Sequence, residues 1–482
     1  MLNTENEDDM NRNHYKLYSD KIKSFIKDIS DAIKGTEADY TSISLRKALI
    51  LLSIPMVLEM SMESIFTIVD IYFVSKLGSD ATSIVGLTES LLTLVYAFGI
   101  GFAISATAMV SRRIGEKKPR RAANAAFQAM LVAGVVAILI SLTGIIFSDS
   151  LLRLMGASDT AISNHGGYTK LMLGGNLTIM FLFILNGIFR GAGDAAIALR
   201  VLCISNLINI VLDPLLIFGI GPFPELGVAG AAVATNIGRG TGVLIQLYTL
   251  FAGSSRIRLY LKDLKPDFKQ IVSFIKLSSA GISQLIIGQT SWVVMVRIIS
   301  EFGSLAVAGY TIGIRIIIFA LLPSSGLSNA AATLVGQNLG ANKPKQAEKS
   351  VWSTGIANAI FLGIIGLILI IWTEPVIRLL VQQPDVVGKS VECLRIVSIG
   401  FIAYGFGMVL VNSLNGAGDT ITPMIINIFC FWLFEIPLAY LLAIKFGMKE
   451  RGVYYAIVIA ETAMTITAMI FFIRGKWKLK KI

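Results

Sequence analysis

The feature that most constrains this chain is a series of apolar stretches, each long enough for about 20 residues of helix across a hydrocarbon layer. Twelve fall near residues 49–74, 82–110, 122–147, 168–190, 196–219, 227–251, 271–299, 304–334, 351–373, 391–415, 421–446 and 452–474. In lipid every backbone polar group must be satisfied within the protein, and stretches of this length select helices over barrel strands. Composition agrees: 54% of residues are apolar, 15% are charged and the mean hydropathy is +0.72. A soluble domain carries about 25% charged residues. The expected class is all-α and integral to the membrane, with the lipid bilayer as its surroundings.

Charge gives the orientation. Arg112, Arg113, Lys117, Lys118, Arg120 and Arg121 follow span 2, and Arg256, Arg258, Lys262, Lys265 and Lys269 follow span 6. Lys343, Lys345 and Lys349 follow span 8, and Arg474, Lys476, Lys478, Lys480 and Lys481 close the chain. Twelve spans put all of these on one side, which the positive-inside rule makes cytoplasmic. Lys445, Lys449 and Arg451 on the other side weaken the contrast. The expectation is a cytoplasmic (inner) membrane protein with both termini cytoplasmic. The first 40 residues hold no apolar core of a signal peptide. The net charge of +11 is accounted for by these loops, so no nucleic-acid partner is expected.

An internal repeat organises the spans. Gly78 matches Gly303, Gly115-Lys118-Pro119 matches Gly340-Lys343-Pro344, Gly191-Ala-Gly-Asp194 matches Gly416-Ala-Gly-Asp419, and Gly227-Val228 matches Gly452-Val453. All four anchors hold one offset of 225 residues. Each half then has six spans. An even number makes both halves enter the membrane in the same sense, related by a pseudo-twofold axis along the membrane normal. The expected architecture is two six-helix bundles with a substrate path between them. The segments are a polar stretch 1–44, a first lobe 45–252, a linker 253–270, a second lobe 271–474 and a basic tail 475–482. In the first of these Tyr18, Ile22, Phe25, Ile29 and Ile33 recur at helical spacing, so it reads as an amphipathic helix or a frayed tail.

The chemistry concentrates in Ser205–Gly219. This span carries Asn206, Asn209 and Asp213 in an apolar run. Asn209 and Asp213 stand one above the other on a helix, and Pro214 removes a backbone donor beside the carboxylate. A carboxylate in mid-membrane costs about 2.5–3.5 kcal/mol on insertion scales and usually lines an ion or substrate path. The repeat sharpens the point: Asp70, Asn209, Asp213 and Thr235 map onto Met295, Phe434, Leu438 and Ala460. These polar residues occur in the first lobe alone, as a single coupling-ion site would require.

Taken in order, Gly191-Ala-Gly-Asp194, Asn209, Asp213-Pro214 and Gly227-Val-Ala-Gly-Ala-Ala-Val-Ala-Thr235 resemble the multidrug and toxic compound extrusion (MATE) family, from about Leu45 to Arg474. The resemblance implies twelve helices in two lobes, a central cavity, and export of cationic or amphipathic small molecules driven by Na+ or H+. It implies an ion site of Asp70, Asn209, Asp213 and Thr235, with Pro55 bending the first span; Pro214, read from its own chemistry, is expected to bend the fifth. A second branch uses acids of the second lobe; Gln284 and Gln289 in span 7 make that dependence look absent here. Physically, two carboxylates with amide and hydroxyl oxygens suit Na+ as a hard-oxygen cage, and equally suit a proton shared by like charges. The residues leave Na+ and H+ open.

Other polar residues in spans have two readings each. Glu59, Glu63 and Asn186 either line the cavity or make interhelical hydrogen bonds. Glu435 and Glu461 are expected to form a structural pair with an Arg or the backbone. Helix capping is expected of Arg190, Asp194 and Asp419. No cofactor is expected: Cys203, Cys393 and Cys430 are isolated, and His14 and His165 cannot build a metal site. No Walker loop exists, Gly99 and Gly101 sit in no βαβ unit, and no nucleophile stands beside a base, so an enzyme is not expected. The expectation is a monomeric cation-coupled antiporter exporting amphipathic or cationic compounds by rocking of its bundles. The alternative is a lipid-linked precursor flippase, for which Arg239, Arg297 and Arg315 form no evident cluster.

Overall fold

The computed structural model describes residues 23–36, 38–253, 255–260, 264–480 and 482; the side chains of residues 65–72, Ser75 and Ser79 lie outside that description. Among the described residues, twelve helical units of 24 residues or more follow one another from Leu45 on. They are α1 (Leu45–Val74), α2 (Ser79–Gly115), α3 (Pro119–Leu154), α4 (Asp159–Ala192), α5 (Ala195–Phe218) and α6 (Val228–Ala252). After the linker come α7 (Phe268–Ser300), α8 (Ser304–Gly340), α9 (Pro344–Ile371), α10 (Pro384–Ser398 and Phe401–Gly416), α11 (Ile421–Lys445) and α12 (Glu450–Ile473). Ten are long and apolar enough to span as they stand, and α10 does so as a pair bent by 57°. At about 1.5 Å per residue, the 30 residues of α1 also suffice.

The apolar runs place the helices but not all their ends. α4 starts at Asp159 and α10 at Pro384, ahead of the runs expected at 168 and 391. The Ser158 hydroxyl caps α4 by accepting from the Ala161 N–H at 3.2 Å. Pro384 opens α10, where the first helical turn needs no N–H. α11 departs further: residues Ile428–Glu435 and Leu441–Lys445 are π-helical. Pro437 supplies no N–H to the turn between them, and a widened turn is a known response to such a gap.

The repeat anchors adopt matched backbone geometry. Gly193 and Gly418 end their helices at φ +90° and +83°, in the left-handed region that favours glycine. In both turns the following Asp N–H closes the motif, Asp194 onto the Phe189 carbonyl at 2.8 Å and Asp419 onto that of Leu414 at 3.0 Å. Helix pairs recur likewise: α2 on α4 and α5 on α6 in the first half, α8 on α10 and α11 on α12 in the second. The molecule is thus two six-helix bundles related by a pseudo-twofold axis. Outward faces such as Ile356, Ile360, Ile364 and Leu367 of α9 are exposed and apolar, the surface a bilayer covers.

The lobes meet through α1 and α2 against α7 and α8. The end of α2 crosses the end of α8 with no room for side chains, Gly115 lying on the Gln337 backbone and Gly340 on that of Arg112. Deeper, a Cβ on Gly326 of α8 would stand 2.6 Å from the Met56 carbonyl oxygen of α1. Gln337 Nε2 donates to the Gly191 carbonyl at 3.1 Å, and Thr333 Oγ1 to that of Arg190 at 3.2 Å. These contacts lie in the half of the molecule that carries the basic loops. The lobes are therefore joined at the basic face.

A helix over residues 23–34 lies across this face. Ala32 is buried, while Phe25, Ile26 and Ile33 are exposed; Tyr18 and Ile22 of the expected pattern lie outside the described residues. Behind it the Tyr40 hydroxyl donates to the Gly193 carbonyl at 2.9 Å, and Arg256 covers the Tyr40 ring at 4.8 Å.

Candidate functional site

Glycine spacing on α6 brings the first-lobe site together. A Cβ on Gly238 would meet the Ser205 carbonyl oxygen at 2.7 Å, and Gly230 seats as closely on Leu216. With no side chains between them α5 and α6 touch backbone to backbone, the small-residue packing that membrane helices use. Thr235, between those glycines, is thereby delivered to α5. Asn209 Nδ2 donates to Thr235 Oγ1 at 3.1 Å and to Asp213 Oδ1 at 3.3 Å. All three residues are buried, Asp213 completely. Asn209 spends its amide N–H on both neighbours, and its Oδ1 finds no hydrogen-bond partner among the described residues. A buried acceptor left open beside a carboxylate and a hydroxyl is what an oxygen-liganded cation would use. Asn206 reaches back to the Met62 carbonyl of α1 at 3.5 Å.

Asp70 lies in α1, but its side chain falls outside the described residues. Pro55 and Pro214 sit inside α1 and α5, and both helices run through them without interruption.

Glu59 and Asn186 do not line an open cavity; both are buried in a network closer to the basic face. Glu59 Oε1 accepts from Asn186 Nδ2 at 3.1 Å and pairs with Arg190 at 3.2 Å, and Gln246 Nε2 donates to Asn186 Oδ1 at 2.6 Å. The polar neighbours explain the difference: a fully buried carboxylate is tolerated when a guanidinium and an amide satisfy it. Glu63 is half-buried and faces Arg239 of α6, which also interacts with Glu89 and Tyr96 of α2. The first-lobe interior therefore holds two fixed cations, Arg190 and Arg239, opposite its acids.

Capping does not account for Asp194. It makes no cap hydrogen bond to α5; it pairs with Arg256 at 3.2 Å and accepts from the Ser255 hydroxyl at 2.8 Å. Asp419 does accept from the Thr422 hydroxyl at 2.8 Å, and it also pairs with Lys480 at 3.1 Å. Arg190, expected as a helix cap, instead pairs with Glu59, and Gln246 is a member of the network with no expected role. A signal existed on α6, where Thr235, Arg239 and Gln246 recur at helical spacing and mark a polar face.

In the second lobe Gln284 exchanges two hydrogen bonds with Asn415, at 3.1 and 3.2 Å, clipping α7 to α10, whereas Gln289 is exposed. Glu435 and Glu461 have no Arg partner among the described contacts. Glu435 Oε2 accepts from the Ser291 hydroxyl of α7 at 2.8 Å.

Comparison with known proteins places these features in a family. The MatE family model matches residues 55–215 and 282–441, one block in each lobe. A probable multidrug resistance protein NorM of Thermotoga maritima is 26% identical over 442 residues, covering 91% of this chain and 94% of the relative. The multidrug export protein MepA of Staphylococcus aureus is 25% identical over 435 residues, covering 88% and 92%. A crystal structure of MATE in the straight conformation superposes with a TM-score of 0.84 at 25% identity, covering 92% of this chain and 98% of that one.

Proposed function

This chain belongs to the MATE family of multi-pass membrane transporters, and from that premise we propose that it exports amphipathic or cationic small molecules in exchange for Na+ or H+. The multidrug exporters among its relatives support the substrate class. The observation that supports the coupling is that Asn209, whose Nδ2 bridges the buried Asp213 and Thr235, keeps an Oδ1 with no hydrogen-bond partner among the described residues. In this reading Asp70 and Asp213 hold the cation, and Asn209 and Thr235 complete the site. The basic face is the cytoplasmic one, so the lobes, joined there, present their cavity to the outside. Cation entry then changes the relative energy of the two lobe arrangements, with Pro55 and Pro214 giving α1 and α5 freedom to bend. A ligand shifts such an equilibrium only by its differential affinity for the two states. A tenfold cation gradient supplies about 1.4 kcal/mol per monovalent charge, enough for a tenfold substrate gradient at one-to-one exchange.

One chain holds both lobes, so a monomer suffices. The flippase alternative is not favoured: Arg239 is engaged with acids, and Arg297 pairs with Glu301 on its own helix at 2.8 Å. The test is efflux of a fluorescent cation from proteoliposomes under a Na+ gradient alone or a pH gradient alone. Efflux under one gradient and its loss in Asp213→Asn are expected. Full gradient-driven efflux by Asp213→Asn would remove the first-lobe site from the mechanism.

A further inference from the structure

At the seam of the two lobes, where α1 meets α9, a groove of about 550 Å³ is lined by Phe25, Leu45, Arg46, Leu49, Ile50 and Ser353. Its volume falls within the about 300–1,000 Å³ of small-molecule sites. Three elements build it. The helix over residues 23–34 supplies Phe25, α1 of the first lobe supplies the next four residues, and α9 of the second lobe supplies Ser353. On α1, Arg46 stands one turn before Ile50, so the charge lies at the end nearer the basic face. On α9, Ser353 heads the stripe Ile356, Ile360 and Ile364, all exposed, and Lys349 stands one turn before it. The groove thus runs from cations at the basic face into the apolar surface that a bilayer covers.

Neither Arg46 nor Lys349 makes an ion pair among the described residues, and both are exposed. Acids close to them in the chain or in the groove are engaged elsewhere: Asp28 pairs with Lys47 at 3.6 Å and Glu348 with Lys478 at 2.7 Å. The Ser353 hydroxyl makes no hydrogen bond among the described residues. Ser350 and Thr354 of the same helix, by contrast, donate to carbonyls one turn back at 2.8 and 2.7 Å. An amphiphile with an anionic head and an apolar tail matches this profile. A free phosphate would leave the apolar walls unused, and a neutral tail would leave the arginine unused. Anionic lipids of the bilayer meet basic residues at this depth. Five of the six lining residues precede the family block that begins at residue 55, so family membership does not account for them.

We propose that this groove binds one anionic phospholipid from the leaflet at the basic face. Its phosphate is held by Arg46, Lys349 and the Ser353 hydroxyl, and an acyl chain lies along Phe25, Leu45, Leu49 and Ile50. The walls come from both lobes, so the site is complete only while the lobes are joined at this face. The segment that follows the roofing helix bridges them too. The Thr36 carbonyl accepts from Arg256 Nη2, beyond α6, at 2.7 Å, and the Thr41 carbonyl accepts from Lys343 Nζ, beyond α8, at 2.9 Å. A lipid bound here favours the joined arrangement by its differential affinity for the two. The site is independent of the coupling ion and of the exported substrate.

The experiment is thermal unfolding of the delipidated full chain in detergent, titrated with dioleoyl phosphatidylglycerol. A saturable rise in melting temperature is expected, because a ligand that binds only the folded chain stabilises it by mass action. Dioleoyl phosphatidylcholine and inorganic phosphate should give no saturable rise. An equal rise with phosphatidylcholine would remove the anionic head from recognition, and an equal rise with phosphate would make the occupant a free anion; either overturns the proposal. Arg46→Gln changes an exposed side chain, so the variant should fold. Its apparent affinity for phosphatidylglycerol should fall about tenfold or more, the loss of a charge-assisted hydrogen bond. Arg120→Gln removes the same charge elsewhere on the basic face and should change the affinity by less than about twofold, since salt screens distant exposed charges. Equal losses in the two variants would reduce the effect to diffuse attraction and sink the site. Ser353→Phe fills the groove without changing charge and should abolish the saturable rise. An unchanged titration in that folded variant also overturns the proposal, and the Arg46 comparison stands without it.

Discussion

Gly326→Ala should loosen the lobes at the basic face. The new Cβ would stand 2.6 Å from both the Met56 carbonyl oxygen and the Val57 nitrogen, and 2.7 Å from the Met56 carbonyl carbon. All three are backbone atoms, so no rotamer change relieves the overlap. The shortest approach falls about 0.4 Å inside the 3.0 Å that real Cβ atoms keep, and ordinary carbon contacts need about 3.5–4.0 Å. Overpacking of this kind costs about 1–3 kcal/mol. Because α1 and α8 belong to different lobes, that cost falls on the joined arrangement and is relieved when the lobes part. The equilibrium should shift by roughly 5- to 150-fold. Spin labels at Arg120 and Lys345, both exposed on the basic face, should report a longer distance, with Cys203 replaced so that only the labelled sites react. Gly187→Ala is the matched control: its Cβ would also lie 2.6 Å from a carbonyl oxygen, that of Ala103, but within the first lobe. It should lower the melting temperature without lengthening the label distance. Equal distance distributions in folded Gly326→Ala and wild type would falsify the reasoning.

Three further substitutions test the interior. Arg190→Leu strips Glu59 of its guanidinium partner, and a broken buried pair costs about 3–5 kcal/mol; thermal unfolding should show a larger loss than Glu59→Gln does, and equal losses would mean the pair is not the stabilising unit. Asn209→Ala removes the amide that holds Thr235 and Asp213 in place. Loss of such orienting groups weakens ion affinity by roughly 10- to 100-fold, measurable as the cation concentration for half-maximal efflux, and an unchanged value would assign the amide no part in the site. Gly238→Ala drives α6 off α5 at Ser205. Overpacking of about 1–3 kcal/mol should appear in the melting temperature together with weakened coupling, whereas destabilisation with intact coupling would separate the helix crossing from the site.

Much of the fold was legible because the bilayer leaves the backbone few choices. Twelve apolar runs could become little but twelve helices, and glycines at a constant offset announced both the duplication and the turns they make at Gly193 and Gly418. What stayed hidden was set by contacts between distant segments. Nothing local to Arg190 says that its guanidinium reaches Glu59 on another helix. Nothing local to Asp194 says that its carboxylate belongs to Arg256 rather than to the helix it precedes. The bend of α10 and the widened turns of α11 were equally silent, since neither interrupts the apolar run that identifies a span. Asn209, Asp213 and Thr235 were readable for the opposite reason: polar residues in apolar helices are costly enough to be noticed one at a time.

The comparison of halves also shows where duplication holds and where it lapses. Backbone geometry is preserved where the backbone is the contact, as at the paired Gly-Ala-Gly turns and the crossing of Gly115 and Gly340. Side chains facing the lobe interiors are free of that constraint, and there the halves diverge in charge compensation. The first lobe sets Arg190 and Arg239 against its acids, so part of its internal charge is fixed whichever way the lobes lean. The second lobe sets the Ser291 hydroxyl against Glu435, and no Lys or Arg appears among the described interactions of Glu435 or Glu461. A transporter that couples ion movement to lobe movement needs charge that changes with conformation, and fixed ion pairs cannot provide it.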